Sequence, residues 1–140
     1  MDQWKDAAKL QEIANKFAIY ADEHRIEEQA ALFTEDGIWT VYGADGSVMA
    51  RNEGREKIYE TSRNTMAGFD HSFHMNGQFL VTQLGEDTAK STSYCSVFLQ
   101  KEETIARSNV VYCDEYVKAA GQWYLLKRDA HFVMAYSENA

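Results

Sequence analysis

Two histidines open a predicted β-strand in the stretch FDHSFHMNGQF, which spans residues 69–79. The chain has only four histidines, and His71 and His74 lie three residues apart here. Histidine ordinarily changes its protonation state near neutral pH, so a histidine held in a pocket can act as a general base. A nearby carboxylate would fix the ring tautomer and stabilise the imidazolium that forms. The stretch is therefore a candidate for proton-transfer chemistry.

Each histidine also has an ordinary structural interpretation. Successive side chains of a strand alternate between its faces, so His71 and His74 point in opposite directions. We expect His71 to be a surface or loop residue, and His74 to face inward as either a satisfied core histidine or a catalytic base. The chain has no HxxxH or HExxH spacing, so we expect no metal and no cofactor.

Helical periodicity dominates the first part of the chain. Apolar residues at helical spacing predict a long helix from Asp2 to about Asp22. The segments IEEQAALF and REKIYETSRNTM predict two further helices, with Phe33 on the apolar side of the former. Between them, GIWTVYGADGSVMARNEG predicts a β-hairpin whose turn is ADG.

The second part alternates apolar and polar residues over four long runs, which predict four strands. Their connections are short, so antiparallel pairing is favoured over helical crossovers. Together the elements predict an α+β domain, in which a curved, mostly antiparallel six-stranded sheet wraps around three helices. The helices can cover only one face of the sheet, so we expect a homodimer or homotrimer to form through the other.

Length and charge limit the possible function classes. The 140 residues fit a single domain, which we place at residues 1–140. A net charge of −8 and scattered basic residues argue against nucleic acid and against an anionic membrane surface. The start MDQWKDAAKL lacks a signal-peptide pattern, so we expect a cytoplasmic protein. Cys95 and Cys113 fit neither a zinc site nor a disulfide framework, and we expect two free, buried thiols.

Longer motifs give the chain a family resemblance. LFTEDGIW follows the predicted helix pair, HMNG opens the third strand, and YCDEY precedes GQW near the end. With these motifs the chain resembles the SnoaL-like group of the nuclear transport factor 2 superfamily over nearly its whole length. The resemblance implies a cone-shaped α+β barrel with an apolar pocket at its open end. It does not choose a reaction, because that superfamily includes dehydratases, isomerases, cyclases, epoxide hydrolases and non-enzymes.

The dehydratases and dehydrochlorinases of that group indicate which residues do chemistry. They use an aspartate near the end of the first helix and a histidine at the start of the strand after the third helix, and these positions match Asp22 and His74. A dehydrochlorinase arginine on the last strand matches Arg128, for which an ion pair on the outer sheet face is the alternative. A lysine of the dehydrochlorinase, five residues before the aspartate, is replaced here by Phe17.

The resemblance favours a cofactor-independent lyase of the dehydratase type that acts on a hydrophobic, ring-containing small molecule. His74 would be the base, Asp22 would orient it, and Arg128 completes the expected catalytic set. An isomerase or cyclase with the same base is one alternative, and a non-catalytic protein that binds a small ligand or a protein partner is another. We expect aromatic side chains to line the ligand pocket. The expected substrate-binding residues are Tyr20, Trp39, Phe69, Tyr94, Tyr112 and His131.

Overall fold

The structure, a computed structural model, describes residues 2–139. Its three helices are α1 (Gln3–Asp22), α2 (Ile26–Ala30) and α3 (Arg55–Ala67). Its six strands are β1 (Phe33–Tyr42), β2 (Val48–Glu53), β3 (His71–Leu84), β4 (Thr88–Lys101), β5 (Thr104–Ala119) and β6 (Gln122–Asn139). Within residues 2–139, no helix is both long and apolar enough to cross a membrane.

All six strands belong to one sheet, in the order β2-β1-β6-β5-β4-β3. Neighbouring strands are antiparallel except for β1 and β6, which run parallel. The sheet is open, because β2 and β3 are its two edges. The predicted α+β domain, with a mostly antiparallel six-stranded sheet and three helices, is confirmed.

The second helix is shorter than the sequence predicts. It ends at Ala30, and Phe33 begins β1, so the assignment of Phe33 to a helix is wrong. Phe33 lies opposite Leu125 of β6, whose N–H donates to the carbonyl of Leu32 at 2.8 Å. This long-range pairing determines the local structure. Phe33 is buried, and an apolar residue is compatible with either element, so periodicity alone could not separate them.

Helix α1 packs against the sheet and supplies much of the core. Its residues Leu10, Ile13 and Phe17 recur at helical spacing and are buried. They form one apolar cluster with Phe33 of β1 and Leu125 of β6. The inward face of α1 is therefore held against the strands on which the site is built.

The two cysteines lie on opposite faces of the sheet. The side chain of Cys95 on β4 is in the core, whereas Cys113 on β5 is exposed, so the prediction of two buried thiols is wrong for Cys113. Both thiols are free. Burial raises the pKa of the Cys95 thiol to about 11, which keeps it protonated near neutral pH.

A buried ion pair links β5 and β6 on the inner face of the sheet. Arg128 is only 1% exposed, and its Nε and Nη2 donate to the two carboxylate oxygens of Asp114, each at 2.9 Å. The Tyr116 hydroxyl donates to the same carboxylate at 3.3 Å. The alternative of an outward ion pair for Arg128 is therefore wrong. A bidentate pair of this kind satisfies two charges that would each be costly to bury alone.

We expect Asp114→Ala to lower the free energy of unfolding by about 3–5 kcal/mol, because it leaves the buried Arg128 charge unpaired. Urea unfolding at constant pH measures the change. Glu138→Ala is the matched control, because it breaks the exposed pair between Arg107 and Glu138 and should cost less than about 1 kcal/mol. Equal losses in the two variants would contradict the importance of the buried pair.

Candidate active site

The carboxylate of Asp22 joins the end of α1 to the start of β3. Its Oδ1 lies 2.6 Å from Nδ1 of His74, and its Oδ2 accepts the backbone N–H of His74 at 2.8 Å. The Ser72 hydroxyl donates to Oδ1 at 2.9 Å. Three hydrogen bonds from neighbouring residues of one strand therefore fix the position of this carboxylate.

The hydrogen bond to Asp22 also determines the tautomer of His74. An ionised carboxylate can only accept hydrogen bonds, so Nδ1 of the neutral ring must carry the proton. Nε2 is then left with a lone pair. The side chains of His74 and Asp22 are 10% and 20% exposed, respectively, so the pair is largely shielded from bulk water. This arrangement is that of a base with an orienting acid.

Strand alternation explains why one histidine enters the site. Ser72, His74 and Asn76 are half-buried, whereas His71 is exposed. The Asn76 side chain donates to the carbonyl of Ala14 at 3.0 Å, which is a second link between β3 and α1. The inward-facing side chains at the start of β3 therefore all contact α1.

A cavity of about 350 Å³ lies beside His74 between the helices and the sheet. Its wall is mostly apolar, as is usual for small-molecule sites. The apolar lining residues are Phe17, Ala21, Trp39, Val41, Met49, Ala50, Met66, Val97, Leu99, Val110, Tyr112, Ala130 and Phe132. No lysine or arginine is among the described lining residues, so no permanently charged cation lines the cavity.

Several polar side chains of the cavity wall are already used in structural hydrogen bonds. The Ser62 hydroxyl donates to Gln29 Oε1 at 2.5 Å, and Gln29 Nε2 donates to the carbonyl of Phe17 at 3.0 Å. The Thr61 hydroxyl donates to Asn52 Oδ1 at 2.6 Å. These groups tie the three helices to one another and to β2. They are therefore not free to bind a ligand.

One end of the cavity is formed by aromatic rings around Phe17. The Phe17 ring meets Trp39 and Tyr112 edge-on, with centroid separations of 5.7 and 6.2 Å. The Arg128 guanidinium lies 3.7 Å from the Tyr112 ring centroid and 4.3 Å from that of Phe17. Burial raises the pKa of Tyr112, and the Arg128 charge partly opposes this change. The Tyr112 hydroxyl therefore keeps its proton.

A wider groove of about 560 Å³ lies along α1 where β5 and β6 meet. Its charges are already paired: Lys9 with Glu12 at 3.1 Å, and Lys118 with Asp6 at 3.4 Å. The Trp123 indole N–H donates to Asp6 and, as the largest contribution, lowers the pKa of that carboxyl. We therefore place the candidate site at His74 and not in this groove.

No three His, Cys, Asp or Glu side chains come together as a possible metal site in the part of the chain that the structure describes. The family comparison identifies the chain more directly. The model of the SnoaL-like domain matches residues 2–129. The chain belongs to the SnoaL-like domain family. A search of curated proteins found no significant sequence match.

Solved structures share the fold of this SnoaL-like protein. A candidate scytalone dehydratase from Novosphingobium aromaticivorans is 22% identical, with a TM-score of 0.83 over 99% of this chain and 91% of that chain. The hexachlorocyclohexane dehydrochlorinase LinA-type3 from Novosphingobium barchaimii is 17% identical, with a TM-score of 0.84 over 98% and 92%. An NTF2-like protein with a cystatin-like fold from Novosphingobium aromaticivorans is 24% identical, with a TM-score of 0.78 over 94% and 84%. At these identities the likeness shows a common fold alone.

The SnoaL-like fold brings together some of the residues expected from the sequence. His74, Trp39 and Tyr112 line the cavity, and Asp22 holds His74 from behind. Arg128 does not line the cavity, because it is buried against Asp114 beneath the aromatic end. The expectation that Arg128 acts directly on a ligand in this cavity therefore does not hold.

Tyr20 and Phe69 lie away from the cavity. The side chain of Tyr20 points about a quarter turn around the helix axis away from the inward face of α1. Its ring lies 4.5 Å from the Arg25 guanidinium. Phe69 lies in the connection after α3, where its N–H donates to the carbonyl of Met66 at 3.2 Å. The expectation that these two residues bind substrate is corrected by their positions.

Tyr94 and His131 face the outer side of the sheet. Tyr94 is 49% exposed, because its strand neighbours Ser93 and Cys95 take the inward positions. His131 stacks on Tyr42 with ring centroids 4.6 Å apart. Neither Tyr94 nor His131 lines the cavity, so both expected pocket roles are wrong.

Sequence reasoning missed residues that the site needs. Ser72 lies two residues before His74 and therefore on the same face of the strand, and this spacing could have identified it. Asp114 shares the parity of Tyr112 in the same way, but its partner Arg128 comes from another strand. Gln29 carries no local signal, since a glutamine in a short helix is ordinarily exposed.

We expect the neutral ring of His74 to carry its proton on Nδ1, because Asp22 accepts a hydrogen bond there. Long-range ¹H–¹⁵N correlation spectra of ¹⁵N-histidine-labelled protein measure the protonation of each ring nitrogen. Asp22→Asn should change the tautomer of His74, since an amide can also donate. The exposed His71 is the internal control and should keep its signals. A protonated Nε2 in the neutral wild-type ring would contradict this assignment.

Proposed function

We propose that this SnoaL-like protein is a cofactor-independent lyase of the dehydratase type, acting on a hydrophobic, ring-containing small molecule. The observation that carries the proposal is the Asp22–His74 hydrogen bond at the wall of an apolar cavity. It leaves Nε2 of His74 as the ring nitrogen available to a ligand. A positioned base of this kind contributes roughly 10²- to 10⁴-fold to a proton transfer.

The proposed reaction needs only this base. Nε2 of His74 takes a proton from carbon, the C–H electron pair forms a C=C bond, and the C–O bond on the adjacent carbon breaks. The imidazolium then returns its proton to the departing hydroxide, which leaves as water, so the histidine ends neutral. Asp22 stabilises the imidazolium while it exists.

The cavity supports water over halide as the leaving group. A halide leaves as an anion and benefits from a lysine or arginine nearby. Here Phe17 stands in place of the dehydrochlorinase lysine, and Arg128 is held by Asp114. Water carries no charge after protonation. The volume of about 350 Å³ suits a small ring compound, and one neighbour of the same fold is named for its action on hexachlorocyclohexane, which is also a ring compound.

An isomerase is the second candidate function, and the same observation favours it. Moving a proton between two carbons needs a base such as His74 and expels no group, so a cavity without lysine or arginine suits it equally. Product analysis separates the two: a lyase product has lost water, whereas an isomerase product keeps the mass of the substrate.

We expect His74→Ala to abolish conversion of hydroxylated ring ketones, tested as a panel and followed by mass spectrometry. His71→Ala is the matched control and should keep most of the activity, because His71 is exposed outside the cavity. Asp22→Asn should fold normally but lose on the order of 10³- to 10⁴-fold in kcat.

Full activity of His74→Ala would contradict the proposed mechanism. If wild-type protein converts no member of the panel, the non-catalytic binding function gains support. Mass-spectrometric identification of any apolar ligand that co-purifies with the protein would then name what the cavity holds.

We further propose that the outer sheet face mediates self-association. Met75, Tyr94, Val133 and Met134 are each about half exposed or more, and together they line a groove of about 470 Å³ on that face. Burying such a surface against a second copy would be favourable.

Sedimentation at micromolar concentration should therefore show a dimer or trimer of the 16.0 kDa chain. The double variant Tyr94→Lys, Met134→Lys should be a monomer, because it adds charges to the apolar face. Trp4→Lys is the control: Trp4 is also exposed but lies on α1. Wild-type protein that sediments as a monomer would refute the association.

A further inference from the structure

The aromatic end of the cavity contains hydrogen-bond donors that have no acceptor, or only a weak one, within the protein. Trp39 and Tyr112 both line the cavity and both pack on the Phe17 ring. Their indole N–H and hydroxyl groups bring polarity to a wall that is otherwise apolar. This end of the cavity is separate from the contact between His74 and Asp22.

Three other polar side chains of the wall differ in this respect. The hydroxyls of Thr61 and Ser62 and the amide of Gln29 are paired within the protein. Hydrogen bonds already made within the protein are lost if a ligand takes one partner, so these groups offer little net gain. Trp39 has no such contact to lose, and the contact of Tyr112 is with a thiol.

The Trp39 indole N–H is buried and has no hydrogen-bond partner among residues 2–139. A buried donor without an acceptor is costly and uncommon in folded proteins. The contrast with Trp123 is direct, since its indole N–H donates to Asp6 at 2.9 Å. An acceptor atom supplied by a ligand would satisfy the Trp39 donor.

The Tyr112 hydroxyl is the second donor. Its polar neighbour is the thiol of Cys95, and sulfur is a weak acceptor. The Arg128 guanidinium lies against the ring face, 3.7 Å from the centroid, and its Nε and Nη2 donate to Asp114. This cation–π contact helps to fix the position of the ring.

We propose that this end of the cavity is an oxygen-binding subsite, in which the Tyr112 hydroxyl and the Trp39 indole N–H donate to a carbonyl or hydroxyl oxygen of the ligand. The inference rests on the proposed function only in taking the cavity as the ligand site, and it adds the substrate class. The ligand is a ring compound with an acceptor oxygen at one end and its reacting carbon at His74. Arg128 is a positioning residue that acts through Tyr112.

Binding of two probes of nearly equal shape tests the Tyr112 donor without any turnover. α-Tetralone carries a carbonyl oxygen, and tetralin is the matching hydrocarbon. Tyr112→Phe should weaken α-tetralone binding by about three- to tenfold, the range for one hydrogen bond, and leave tetralin binding within about twofold. Tyr136→Phe removes the same atom from an exposed tyrosine of β6 outside the cavity and should change neither affinity. The infrared carbonyl band of bound α-tetralone should also lie at lower frequency in wild type than in Tyr112→Phe.

The Trp39 donor has its own readout, because the chain has only three tryptophans. In ¹⁵N-tryptophan-labelled protein, α-tetralone should shift the Trp39 indole N–H signal downfield, and tetralin should not. Trp4, which is 71% exposed, and Trp123, which is bound to Asp6, serve as internal references and should stay in place.

The outcomes separate this inference from the proposed function. Equal effects of Tyr112→Phe on both probes, or no effect on either, would overturn the Tyr112 assignment. An unshifted Trp39 signal in the presence of bound α-tetralone would overturn the Trp39 assignment. A wild-type protein that binds tetralin but rejects α-tetralone would overturn the whole subsite. None of these results bears on His74, whose role is decided by turnover of the His74→Ala and His71→Ala variants.

Discussion

The Asp22 carboxylate is the contact on which the arrangement of the site depends. Strand β3 is an edge of the sheet, and edge strands have backbone groups without a strand partner. Asp22 takes up one of these, the N–H of His74, together with the His74 ring and the Ser72 hydroxyl. The same three hydrogen bonds hold the end of α1 and orient the imidazole. A single side chain therefore both holds α1 against β3 and orients the proposed base.

A second principle is the separation of polar groups that hold the protein together from those left for a ligand. Gln29 and Ser62 connect α1, α2 and α3 through buried hydrogen bonds. Arg128 and Asp114 satisfy each other beneath the aromatic end of the cavity. The cavity between them is mostly apolar, with the base His74 at one wall and the donors of Trp39 and Tyr112 at another. Few free polar groups in a mostly apolar cavity make each of them more selective, because an unmatched polar atom of a ligand would be buried without a partner.

Strand alternation let the sequence predict much of the fold and the centre of the site. The four long period-2 runs became β3 to β6, and the parity of His71 and His74 placed only one of them beside the cavity. The position of α1 against β3 was expected only through the family resemblance. No local pattern relates residue 22 to residue 74.

The errors share a physical cause, which is that composition does not report the face of a strand or the partner of a charge. Tyr94 and His131 were expected in the pocket because aromatic rings suit one, yet both lie on the outer face. The spacing from Trp123 singled out Arg128, but its partner Asp114 is on a neighbouring strand. Phe33 belongs to β1 and not to a helix because it pairs with β6, about ninety residues away in the sequence. Long-range contacts therefore decided the cases of Arg128 and Phe33, and strand alternation decided those of Tyr94 and His131.

The parallel pairing of β1 with β6 has a consequence for biosynthesis. In chain order β1 is the first strand and β6 the last, yet they are neighbours in the sheet. While the polypeptide is being made, the β1–β2 ribbon has no place in the sheet until β6 has emerged, and until then Phe33 lacks its partner Leu125. An isolated two-stranded ribbon is at best marginally stable in water. Completion of the sheet, and with it the cavity wall formed by Trp39 and Val41, must therefore follow synthesis of β6.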